Sequence, residues 1–143
     1  MTKEVALRKW LSNAVHDWEI PVVDGIAMEP VQKAVLLPAY PSAAVPDDAM
    51  LPYLTFDAAY GDFESGSVPV TVSMWFHTAS LDIPDAAARE LSGAVGYGGA
   101  RIRCDEGCIW LTRGSPFSKI VPTEDPNLRL CYVNLTAEFL TVN

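Results

Sequence analysis

The chain has 143 residues, half of them apolar and a fifth charged, which fits one globular domain with a sizeable core and excludes a disordered or fibrous protein. Its formal charge of −8 and pI near 4.5 are the reverse of a nucleic-acid binder's basic footprint, and such a surface repels anionic lipid as well. No apolar run reaches the ~20 residues that span a bilayer, and Met1 to Val5 carry no apolar signal core, so a soluble protein made in a cytoplasm is expected.

Leu7, Trp10, Leu11, Ala14, Val15 and Trp18 recur at three- and four-residue spacings, which predicts one helix running to about Trp18 and stopped by Pro21. Thr2 and Glu4 supply its N-terminal cap signal. Pro21 to Met28 is apolar and strand-like, with Asp24-Gly25 as a turn or hairpin, and Val31 to Leu37 reads as a further strand. Residues 38–52 hold four prolines among small and acidic residues, the composition of an exposed loop.

Tyr53 to Tyr60 is a strand candidate, followed by a turn at 61–67. Val68 to His77 gives the clearest alternation: Val68, Val70, Val72, Met74 and Phe76 on one face, with Thr71, Ser73, Trp75 and His77 opposite. A helix follows from Asp82, its expected cap, to Val95, with Ile83, Ala87, Leu91, Ala94 and Val95 facing inward and Gly96 stopping it. Ala100 to Cys104, Cys108 to Arg113 and Leu128 to Val142 complete the strands. The last places Val133, Leu135, Ala137 and Phe139 on one face. Together these elements predict a single α+β domain over residues 1–143, a mainly antiparallel sheet with two helices packed on one face.

Little in the chain looks catalytic. His16 and His77 fall in different elements without a nucleophile or orienting acid nearby. Cys104, Cys108 and Cys131 lack the paired spacings and fourth ligand of a zinc site, and an odd number argues against a disulfide framework, so reduced thiols are expected. Asp82 is better read as a helix cap, Asp47-Asp48 as loop solubility, and no phosphate-binding glycine loop is present. No catalytic residue, metal ligand or cofactor is therefore assigned. The segment Arg113 to Ile120 has two readings. As a protruding loop it offers Arg113, Phe117 and Lys119 as contact residues beside Trp75 on the sheet; as an ordinary loop it tucks Phe117 into the core.

Pro52-Tyr53-Leu54-Thr55-Phe56, the strand ending Met74-Trp75-Phe76, the helix after it and Arg129-Leu130-Cys131-Tyr132-Val133-Asn134-Leu135 resemble the tail terminator and tail-completion proteins of long-tailed bacteriophages. The stretch from Gly107 to Phe117 is similar to the late loop region of the same group. The resemblance implies a non-enzymatic virion protein at the head-proximal end of the tail. It implies a homo-oligomeric ring, commonly a hexamer, that caps the tail tube, ends its growth and presents a surface for head joining. Its partners would be the tail tube protein and a head-completion or connector protein, with no specific nucleic-acid or membrane contact. The competing expectation is a small non-enzymatic ligand- or protein-binding α+β module, with a cavity between helix and sheet lined by Trp75, Tyr132 or their neighbours.

Overall fold

One-sided burial along two long strands organises the molecule, whose computed structural model describes residues 1–58, 66–105 and 107–141. In β7 (Ser67–His77) Val70, Val72, Met74 and Phe76 are buried while Thr71, Ser73 and Trp75 between them are partly open. β10 (Leu128–Thr141) pairs antiparallel with it, Val133 opposite Val72 and Cys131 opposite Met74, so the two buried rows share one face. A slip of one residue would turn both rows into solvent, so burial fixes the register.

Four more strands complete the sheet: β5 (Ala39–Pro41), β6 (Tyr53–Ala58), β8 (Ala100–Cys104) and β9 (Gly107–Val121). Their order is β5-β6-β7-β10-β9-β8, and every pair is antiparallel except β5 with β6. Helix α1 (Lys3–Leu11) touches both edge strands, β5 and β8, so the sheet is curled around it. Helix α2 (Asp82–Val95) lies across β7, β10 and β9. Both helices thus pack on the concave face, and the fold is α+β as the periodicities indicate. Ala6, Leu7 and Leu11 of α1 join Ala87, Leu91 and Val95 of α2 and the sheet's buried row in one cluster. Among the described residues no helix is long and apolar enough to cross a membrane.

The expected first helix is shorter than its stripe. It ends at Leu11, where Ser12 Oγ and Asn13 Nδ2 both donate to Lys9 O and satisfy a last-turn carbonyl. Ala14 and Val15 are still buried, but as a turn leading into β1 (His16–Glu19), which carries His16 and Trp18. A helix followed by a short strand mimicked 3.6-residue spacing because both elements bury side chains in the same core.

Three smaller expectations also change. Ala39 to Pro41 pair with β6, with the Tyr40 and Tyr53 rings edge to face at 5.8 Å, so this part of 38–52 is a covered strand and not an exposed loop. Asp82 does not cap α2. Leu81 occupies the cap position, and Ser80 Oγ instead accepts from the Asp82 N–H. Ala94 is exposed, with Ala86, Ala87 and Ala88 taking the buried row. Gly96 does stop the helix, at φ 74. The positions expected for Tyr60, the turn from 61 and Val142 lie outside the described residues.

Cys104, Cys108 and Cys131 are unpaired. Burial, with the nearby Asp85 charge adding to it, pushes the Cys131 thiol up to about 11 from 9.0. The unfolded chain then loses this proton before the folded one does, so stability should fall as pH rises from about 9 to about 11. The slope over that window should be shallower in Cys131→Ala, as measured by urea titrations at a series of pH values. Separately, Leu91→Ala should cost on the order of 3 kcal/mol, because its side chain is wholly enclosed between α2 and the sheet. Leu81→Ala, more than half exposed, should change stability by under about 0.5 kcal/mol in the same titration.

Candidate functional site

The residues singled out from sequence divide between the two faces of the sheet. Arg113 and Phe117 lie on the helix side. β9 continues unbroken through them as a strand with a bulge, in place of a protruding loop: Arg113 pairs with Leu135 and Ser118 with Val133, leaving Gly114 to Phe117 opposite Asn134 alone. Gly114 is required there, since a Cβ would stand 2.9 Å from Asn134 O. Asn134 Nδ2 donates to Pro116 O at 3.0 Å and holds the bulge closed. The Arg113 guanidinium donates to Ser92 Oγ at 2.8 Å and stacks over the Tyr97 ring at 4.7 Å. Phe117 is partly buried, packs against the core, and borders a small cleft of about 110 Å³ with Ala88 and Ser92 of α2.

Trp75 and Lys119 lie on the opposite, convex face. Lys119 is exposed across from Tyr132, while Trp75 pairs with Tyr53 on one side and Leu130 on the other. The indole Nε1 of Trp75 is buried and has no hydrogen-bond partner among the described residues. The four residues therefore do not form one constellation. Trp75 and Tyr132 face away from both helices, whereas Phe76 and His77, next to Trp75, border a cleft of about 320 Å³ with Ile83 of α2.

A feature less visible in sequence stands out: a two-part β-hairpin arm over residues 16–36. β1 pairs with β4 (Val31–Leu36) at the base, and β2 (Val22–Val23) pairs with β3 (Ile26–Ala27) at the tip. Asp24 at φ 52 and Gly25 at φ 78 make the tip turn, both in the left-handed region that a two-residue hairpin of this hand demands. Pro21 and Pro30 remove ladder donors between base and tip, and the Met28 N–H bridges the gap to Pro21 O at 2.8 Å. Every residue from Val22 to Glu29 is exposed, including Val22 and Ile26 at 66% each and Val23 at 53%.

One carboxylate anchors this arm. Glu90 of α2 accepts from the His16 backbone N–H at 2.6 Å and Trp18 Nε1 at 3.2 Å through Oε1. Its Oε2 meets His16 Nδ1 at 2.7 Å and Gln32 Nε2 at 2.6 Å. A carboxylate only accepts, so His16 Nδ1 carries the proton in this contact. The four donors come from both base strands, β1 and β4, so Glu90 fixes the arm's angle to the helix. A Lys33–Asp17 ion pair at 3.2 Å ties the base strands to each other. The sequence signal for Glu90 is modest: a carboxylate one turn beyond buried Ala86 and next to buried Leu91, at the margin of an apolar face.

Between arm and helix runs a groove of about 370 Å³, walled by Trp18, Pro30 and Gln32 on one side and by Ala86 and Arg89 on the other. No group of three or more His, Cys, Asp or Glu side chains among the described residues is arranged to hold a metal ion. No protein-family model matches the sequence, and no curated protein matches it. The chain is similar to a solved chain described as "Virion of native gene transfer agent (GTA) particle", at 21% identity and a TM-score of 0.48, over 71% of this chain and 77% of that one. A likeness that partial carries no argument about function.

The Glu90 contacts generate a sharp expectation. In Glu90→Gln the amide NH₂ confronts donors, so the variant should lose about 1.5–3 kcal/mol. The His16 amide should exchange its hydrogen at least about tenfold faster, as read by NMR or mass spectrometry. Unchanged exchange at His16 would show that the arm is held by packing alone.

Proposed function

We propose that this chain is a structural subunit of a phage-like virion that assembles as a ring, six-membered by its sequence resemblance, on the head-proximal end of a tail tube. In this role it ends tail growth and offers a surface to a head-completion or connector protein, without turnover and without a cofactor. The observation that carries the reading is the arm. An ordered hairpin with Val22, Val23 and Ile26 in solvent has the character of a contact element, since runs of large apolar side chains left exposed mark interaction sites. The resemblance of the Pro52–Phe56, Met74–Phe76 and Arg129–Leu135 segments to tail terminators points the same way.

A closed ring repeats one heterologous contact, so a subunit needs two different complementary patches. The arm supplies one, and the sheet's free edges are candidates for the other. Arg113 and Phe117 enter this picture indirectly, by seating the β9 bulge on α2; Lys119 and Trp75, on the convex face, are available for direct contact.

The second reading is a small non-enzymatic binding module. The groove between the arm and α2 favours it, because Trp18 and Glu90 offer an apolar wall and a charge in one place. Native mass spectrometry across a concentration series separates the two. The ring reading expects a discrete oligomer, six subunits in its preferred form, growing with concentration. A monomer at every concentration would count against a ring that forms unaided and favour the binding module.

A further inference from the structure

The arm needs a receiver, and the chain carries one whose charge suits it. Residues 19–30 contain Glu19, Asp24 and Glu29 and no cation, so the exposed apolar tip is framed by acids. On a protein of charge −8 most surfaces repel such an element. Exposed cations are found on α1, at Arg8 and Lys9, and on the edge strand β8, which alone of the two adds an open strand edge. Arg101 and Arg103 alternate with buried Ile102, so both guanidinium groups stand exposed on the convex side of a strand with one open edge. Beside them on the same face lies Trp110, with Arg101 over its ring at 6.0 Å, an apolar surface under the cations.

The two features are also different surfaces of the molecule. The arm's base lies against α2, held by Glu90, and β4 runs on into β5 through Leu37 and Pro38 alone, whereas β8 is the sheet edge remote from β5 in strand order. An element that fits a different surface of an identical chain gives a head-to-tail contact, the kind that closes a ring. Short hairpin strands and a free strand edge have unpaired backbone groups to exchange, and the acidic and basic side chains set which surfaces meet.

We propose that the arm of one subunit docks along β8 of a second copy, its acids Glu19 and Glu29 facing Arg101 and Arg103 and the apolar residues of its tip covering the strand edge and Trp110. The proposal rests on the self-assembly reading above and specifies its contact. Edge arginines also guard single sheets against unwanted pairing, and the test separates that role from docking.

The test uses full-length chains carrying Glu19→Lys with Glu29→Lys, or Arg101→Glu with Arg103→Glu, all at exposed positions, checked for wild-type far-ultraviolet spectra and melting. Sedimentation velocity should show each variant alone associating at least about tenfold more weakly than wild type. Mixed one to one, the variants should recover association to within about threefold of wild type, because every arm-to-edge contact in an alternating assembly again joins opposite charges. Wild-type oligomers unaffected by either reversal, or variants that weaken but do not rescue one another, would overturn this contact while leaving the ring standing. A wild type that never associates would overturn the contact and count against an unaided ring together.

Discussion

The arrangement of this molecule depends on the sheet burying mainly one of its faces, with Leu130 and Thr55 the buried residues on the other. β7 and β10 present unbroken apolar rows on the concave side and hydroxyls, Trp75 and Tyr132 on the convex side, and their register sets them together. With the apolar rows on one side, both helices have to lie there, and the convex face is left without a covering helix. Curling follows from the same constraint, since α1 fills the concave side only if both edges turn towards it. The position of β8 as an edge strand is a consequence of that arrangement.

The arm meets the opposite problem. Its tip has no core of its own, and an isolated two-stranded hairpin is marginal in water. The base is therefore held from outside: Glu90 gathers donors from both strands, and Trp18 packs against the core. Holding a polar junction in place of an apolar one has a structural consequence. A carboxylate with four directed partners sets an angle, which a greasy contact does not, and a contact element in an assembly gains from being aimed before it docks.

Period-two alternation made β7 and β10 legible from the residues, and Gly96 with the alanine-rich face did the same for α2. Asp24-Gly25 announced its hairpin because few other dipeptides accept positive φ twice. Where sequence reading failed, two elements shared one periodicity or a strand hid in loop chemistry. The stripe through Trp18 merged α1 with β1, and Ala39 to Pro41 became a strand because β6 was there to pair with. Arg113 to Ile120 read as a loop, protruding or with Phe117 tucked into the core, because glycine and proline mark loops; they equally mark a bulge, which the pairing of Arg113 with Leu135 and Ser118 with Val133 shows, and Phe117 does pack against the core. Glu90 was not legible as a hub: its partners lie more than fifty residues away and carry no spacing signature.

Energetics limit what the arm can do alone. Full burial of Val22, Val23 and Ile26 would contribute at most about 9 kcal/mol at about 1.5–3 kcal/mol for each side chain, and less in practice because part of each is covered already. Bringing two chains together costs roughly 4–15 kcal/mol before any contact counts. One arm-to-edge contact is thus weak as a dimer, and backbone pairing with charge complementarity has to close the difference. A ring changes the arithmetic, because the last subunit makes two contacts while losing its translational freedom once. Weak pairwise affinity combined with closure favours complete rings over stray dimers.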